Sequence, residues 1–147
     1  MVEAGSMEKF PSIVSDIMSS PVITLNGEVN VRDAALLMTD KQIGSIVVTE
    51  RGKPIGIVTK RDILEQIVCP CKDPCEVKMK EIMTSLVITI YKDTTILDAM
   101  REMRGRNISQ LVVIDGDIEG IISESDVIRA VSIASLTSFS TLLKKRG

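Results

Sequence analysis

The sequence contains no histidine and no tryptophan, and its 147 residues include only two phenylalanines and one tyrosine. Without histidine the commonest general base at neutral pH is missing, and no Ser–His or Cys–His pair can be assembled for nucleophilic catalysis. With so few aromatic rings there is no stacking platform for single-stranded nucleic acid. Ile, Val, Leu and eight methionines must therefore fill the core. Lys and Arg number 18 against 20 Asp and Glu, so a formal charge of −2 offers no overall attraction to nucleic acid or anionic lipid. No apolar run approaches the roughly 18 residues of a spanning helix, and no basic region followed by an apolar stretch marks a signal peptide. The three cysteines crowd into one short segment, which is not a disulfide framework. A cytoplasmic protein without catalytic residues is expected.

What is present is one motif, twice. Gly56-Ile57-Val58-Thr59-Lys60-Arg61-Asp62 returns 64 positions later as Gly120-Ile121-Ile122-Ser123-Glu124-Ser125-Asp126. Each copy reads as a short apolar strand running into a helix start, with a hydroxyl followed three residues on by a carboxylate. The surrounding pattern repeats as well. Asp16-Ile17-Met18-Ser19-Ser20 precedes a strand at Val22–Leu25, and Glu81-Ile82-Met83-Thr84-Ser85 precedes one beginning Val87-Ile88-Thr89. Apolar residues at 31, 34, 35 and 38, and again at 96, 99, 100 and 103, have helical spacing, and the first helix should stop by Gly44. Strands follow at Ile46–Thr49 and Leu111–Ile114. Polar turns then lead to the strands carrying the motif, and the first motif opens a helix over Asp62 to about Val68. Between residues 16–50 and 81–115, 12 of 35 positions are identical. That exceeds what a shared helix or strand bias produces, so the unit is duplicated.

A single copy exposes an apolar sheet face that it cannot bury alone. The expectation is α/β: two β-α-β-β-α repeats packed sheet to sheet with pseudo-two-fold symmetry. The boundaries are an N-terminal extension at 1–12, repeat 1 at 13–68, a Cys/Pro linker at 69–80 and repeat 2 at 81–130. An amphipathic helix and basic tail follow at 131–147, with apolar residues at 133, 136, 139, 142 and 143 ahead of Lys144-Lys145-Arg146.

The order β-α-β-β-α, the Met-Ser/Thr approach and the Gly-Ile-Val-Thr-x-x-Asp exit resemble a CBS domain, and the pair is similar to a CBS tandem, or Bateman module. The resemblance covers Ser15 to Ala130. It implies a regulatory module that binds an adenosine-containing ligand in clefts between the repeats and acts through a partner protein. The ligand would be AMP, ADP, ATP, S-adenosylmethionine or NAD, with no other cofactor required. A homodimer formed through the helices is implied too.

Thr59 with Asp62, and Ser123 with Asp126, have the spacing of a helix capping box. A carboxylate held at a helix start can also accept hydrogen bonds from a ribose diol, as acidic residues do in dinucleotide folds. The two roles are compatible, and the resemblance implies both. It further implies ligand contacts from Met18, Val22 and Ile23 with Ile43, Gly44 and Ser45, and from Met83, Val87 and Ile88 with Ile108, Ser109 and Gln110. Taken singly, the apolar members of that set read as core. Lys60 and Arg61 at the first motif suit phosphate, whereas Glu124 at the second would repel it, so the site of Thr59, Lys60 and Asp62 is expected to be the stronger phosphate site. Arg32, Arg101, Arg104 and Arg129 are further cations that either assist or sit on solvated helix faces.

Cys69, Cys71 and Cys75 are the candidate metal ligands. A closed zinc site needs a fourth ligand, which Asp73 or a second chain would have to supply. The plainer reading is a proline-rich linker with free thiols or one disulfide, and no metal is expected. The rival functional reading is a dimeric structural or nucleic-acid-associated adaptor using the basic tail; membrane and nucleic-acid partners are otherwise not expected.

Overall fold

The computed structural model describes residues 12–85 and 87–146, with side chains through residue 136. The N-terminal extension through residue 11 and the side chains of the basic tail lie outside the described residues. By contacts the chain divides into two compact units. One is Val22–Ile88; the other joins the segment ending at Pro21 to the chain from Thr89 onward.

In the first of these, β1 (Thr24–Asn26) lies parallel to β2 (Ser45–Glu50), and β2 is antiparallel to β3 (Lys53–Thr59). Helix α1 (Val31–Lys41) makes the crossover between the parallel strands. Asn30 caps it by accepting the Asp33 N–H at 2.8 Å. The β1 strand sits two residues later than the apolar run Val22–Leu25 predicts; pairing starts where the Val47 N–H donates to the Ile23 carbonyl. The α1 helix ends at Gln42, in the left-handed conformation (φ 55°), two residues before Gly44, by which the sequence predicts its stop. The Gln42 and Ile43 amides close the last turn on the Thr39 and Met38 carbonyls, which is a Schellman termination built without glycine. Arg51 and Gly52 both have positive φ (52° and 78°), as a two-residue hairpin turn with the right twist requires. Ile46, Val47 and Val48 are all buried, so β2 is covered on both faces. Val31, Ala34 and Met38 of α1 pack with Ile46, Val48 and Val58 on one of them.

After β3 the chain forms α2 (Lys60–Ile63), which widens into a π-helical turn over Leu64–Val68. The following connector is docked rather than free. The Val31 N–H donates to Val77 O (2.9 Å), Arg32 N–H to Pro74 O (3.1 Å) and Met79 N–H to Val29 O (2.8 Å). Helix α3 (Met79–Ile82) buries Met79 and Ile82 in the same core.

The second unit repeats the plan. Strand β4 (Thr89–Tyr91) is parallel to β5 (Gln110–Asp115), which is antiparallel to β6 (Asp117–Ser123). Helix α4 (Ile96–Arg106) is capped by Thr95 and ends at left-handed Asn107 (φ 53°). The last helix, α5 (Glu124–Arg146), is continuous, so the helix expected after the motif and the expected tail helix are one element. Ile133 and Leu136 are exposed on it, and the apolar positions 139, 142 and 143 lie outside the described side chains.

The units thus divide the chain differently from the repeats. Each sheet body receives the lead-in segment of the other repeat. Ser19 exchanges backbone hydrogen bonds with Ile121 of β6 (2.8 and 3.1 Å), and Thr84 does the same with Ile57 of β3 (3.0 and 2.9 Å). The methionine preceding each bridge lies across the glycine that opens the motif. A Cβ at Gly56 would stand 2.7 Å from Met83 Cγ, and one at Gly120 would stand 2.9 Å from both Met18 Cγ and the Ser19 carbonyl oxygen. Close approach of another segment, not φ, is why these positions are glycine.

Candidate functional site

Each motif ends its strand and starts its helix within one residue, and this places the hydroxyl and the carboxylate. In the Val22–Ile88 unit, Ser45 and Thr59 pair across β2 and β3, and the Lys60 N–H donates to the Gly44 carbonyl at 3.1 Å. The Thr59 N–H and Oγ1 both donate to Asp62 Oδ2, at 2.8 and 3.0 Å, and the Asp62 N–H returns to Thr59 Oγ1 at 3.3 Å. Asp62 Oδ1 receives no hydrogen bond among the described residues. The carboxylate is therefore fixed through one oxygen and open through the other, beside exposed Gly44 and exposed Lys60.

The other unit has the same frame. Gln110 pairs with Ser123, and the Glu124 N–H donates to the Ser109 carbonyl at 2.9 Å. The Ser123 N–H donates to Asp126 Oδ2 (2.8 Å), and the Asp126 N–H to Ser123 Oγ (3.1 Å). Asp126 is the one buried charged residue among those described. Here the second oxygen is engaged, because Arg129 Nη1 donates to Oδ1 at 3.3 Å.

The structure brings together Ile23, Gly44, Ser45, Thr59, Lys60 and Asp62 in one unit, and Ser109, Gln110, Ser123 and Asp126 in the other. Ile23, Ile43 and Met83 are half-buried and pack on the core of their unit, which is the ordinary role of such residues. Met18 lies over Gly120 in the same way that Met83 lies over Gly56. Val22, Val87, Ile88 and Ile108 are half-buried. By sequence alone Arg129 is either an assisting cation or a solvated helix-face residue, and Glu65 is not singled out. In the structure Arg129 holds Asp126, while Glu65 holds Arg61 at 2.5 Å. The i,i+3 and i,i+4 spacings were the available signal.

The three cysteines are exposed and free. The Cys71 and Lys72 amides donate to the Val68 and Ile67 carbonyls, so Cys71 (φ 58°) is the left-handed residue closing the preceding helix. The Cys75 N–H donates to Asp73 Oδ1, which turns that carboxylate toward the backbone. Among the described residues no group of three or more His, Cys, Asp or Glu side chains is placed to hold a metal ion.

A model of the CBS domain matches residues 14–69 and 79–133. With two three-stranded α/β sheets and the motif at the end of each, the chain belongs to the CBS-domain family as a tandem pair. An uncharacterized protein of Methanocaldococcus jannaschii is 33% identical over 135 residues, covering 90% of this chain and 44% of that protein. A hexameric CBS-CP12 protein from bloom-forming cyanobacteria has a TM-score of 0.72 at 30% identity, covering 79% of this chain and 69% of that one. A CBS domain pair solved in complex with 5′-methylthioadenosine and S-adenosyl-L-methionine has a TM-score of 0.68 at 29% identity, covering 82% of this chain and 95% of that one. The chain spans between 32% and 62% of the length of five curated relatives that it matches. Among the described residues no helix is long and apolar enough to cross a membrane.

Proposed function

We propose that this tandem is a regulatory module that binds an adenosine-containing ligand at its two motif carboxylates and transmits occupancy to a partner protein. The observation that carries the reading is the geometry of Asp62. One oxygen is held by its own cap and the other is open, which is what a ribose diol needs from an acceptor. Lys60 at the same helix start supplies a cation for a 5′-phosphate. The relative bound to methylthioadenosine and S-adenosylmethionine supports the ligand class. A cytoplasmic homodimer is the form in which we expect the module to act. Exposed Leu97, Met100, Ile128 and Val131 on α4 and α5 support self-association.

The test is a thermal-shift screen of AMP, ADP, ATP, S-adenosylmethionine and NAD. A true ligand at 100 times its dissociation constant adds about 2.7 kcal/mol of stability. That shift should shrink for Asp62→Asn, which cannot accept through two anionic oxygens. If none of the five raises the midpoint, the reading fails.

A further inference from the structure

The two carboxylates differ in the engagement of their second oxygen, which neither capping nor fold explains. Both give Oδ2 to the backbone amide three residues before them. Only Asp126 also has Oδ1 occupied, by Arg129. At the shift of 64 that relates the motifs, the residue corresponding to Arg129 is Glu65, of opposite charge. Glu65 draws the Arg61 side chain onto itself, so no cation reaches Asp62 Oδ1 among the described residues. The residue corresponding to Arg61 is Ser125, which has no charge to offer. The charge at this position on the helix is inverted and its neighbouring cation is lost, and the effect is one open carboxylate and one closed.

We propose that Arg129 is a specificity-determining latch on the second site: it occupies the Asp126 oxygen that a ribose diol would use, so the Asp62 site fills first. The proposal rests on the reading of the two aspartates as ribose acceptors. The Asp126 side chain is 10% exposed and that of Arg129 is 66% exposed. The guanidinium therefore lies on the solvent side of a nearly buried carboxylate and can leave without disturbing the core. A ligand entering the second site must displace it, at the cost of one charge-assisted hydrogen bond that is solvent-exposed at its donor. Such bonds are individually weak, so the two sites should differ by about fivefold and not by orders of magnitude. The latch does not depend on phosphate and should act on adenosine as well as on AMP.

The experiment is a titration of nitrogen-15-labelled protein with AMP and, separately, adenosine, followed at the Thr59 and Asp62 amides for one site and the Ser123 and Asp126 amides for the other. In the native protein the first pair should saturate at an adenosine concentration about fivefold lower than the second, with a wider gap for AMP. Arg129→Gln should bring the second pair into line with the first for adenosine and narrow the ratio for AMP, where Lys60 and Glu124 still differ, and Glu65→Arg should weaken the first site. Equal saturation in the native protein, or an Arg129→Gln variant with an unchanged ratio, overturns the latch while leaving the ribose reading intact. A second site weakened by Arg129→Gln also overturns it, since Arg129 would then be a ligand contact. If neither ligand moves either pair, the underlying reading fails and the latch falls with it. Unchanged thermal midpoints of the ligand-free variants confirm that the shifts in ratio are not folding defects.

Discussion

The two compact units have the same strands, the same caps and the same hydroxyl–carboxylate pair, yet the segments laid against them differ. The Val22–Ile88 unit is braced by the connector, whose Lys78 and Lys80 both reach Glu28, at 2.7 and 2.5 Å. The other unit receives residues 12–19 in the corresponding place, with the Ile96 N–H on Ser12 O and the Val14 N–H on Thr94 O. The positions that correspond to Lys78 and Lys80 are Ile13 and Ser15, so this second brace lacks the lysine clamp. Backbone hydrogen bonds with buried Val14 and half-buried Met18 hold this lead-in segment without lysines, and the charged clamp is an addition to one unit. Duplicated frames can therefore diverge in charge while the backbone scheme is retained.

The largest effect that would break the likeness lies at the motif glycines. Gly120→Ala places a Cβ against the fixed Ser19 carbonyl oxygen as well as Met18, whereas Gly56→Ala meets only the flexible Met83 side chain. Urea denaturation should show a loss of about 1–3 kcal/mol for Gly120→Ala, with Gly56→Ala near the lower end of that range. Equal losses would mean that the bridging backbone yields as readily as a side chain.

A smaller effect is expected at the connector. Cys71 holds a left-handed conformation that costs an ordinary residue about 1–2 kcal/mol. Glycine would relieve it but would add about 0.4–1 kcal/mol of unfolded-state entropy to overcome. Cys71→Gly should thus stabilise by roughly half a kcal/mol in the same assay. A destabilised variant would show that the Cys71 side chain makes a favourable contact of its own.

The smallest effect is in the acid limb. Lys78 and Lys80 hold the Glu28 carboxyl down, from 4.5 to about 2. Because the folded value lies below the unfolded one, the contribution is complete above about pH 4.5 and disappears as pH falls toward about 2. The pair is solvent-exposed and screened, so salt should weaken it. Glu28→Gln should flatten the stability–pH curve between those values, and an unchanged curve would remove the clamp from the comparison.

Much of the frame is legible along the chain because it is local. Thr59-x-x-Asp62 and Ser123-x-x-Asp126 form the expected caps, since a hydroxyl and a carboxylate three apart meet across a first helical turn. The helix ends were less legible. Gly44 marks the limit of the first helix, but the capping residues are Gln42 and Asn107, which take the left-handed conformation as the next residue, Ile43 or Ile108, closes the Schellman turn. Of the candidate site, the capping pairs were legible and the packing of the apolar members was not. Ile23, Ile43 and Met83 carry no sequence mark that separates packing from ligand contact, and the structure shows them packed.

The sequence by itself determined the duplication, the strand and helix order and the two hydroxyl–carboxylate caps, because each depends on residues within one helical turn or on direct repetition. Only the tertiary structure decided which lead-in segment lies on which motif strand, because that pairing joins residues 27 apart in one unit and 102 apart in the other, Ile57 with Thr84 and Ser19 with Ile121. No local spacing encodes such a choice. In both units the methionine of the bridging segment fills the space above the motif glycine, Met83 over Gly56 and Met18 over Gly120.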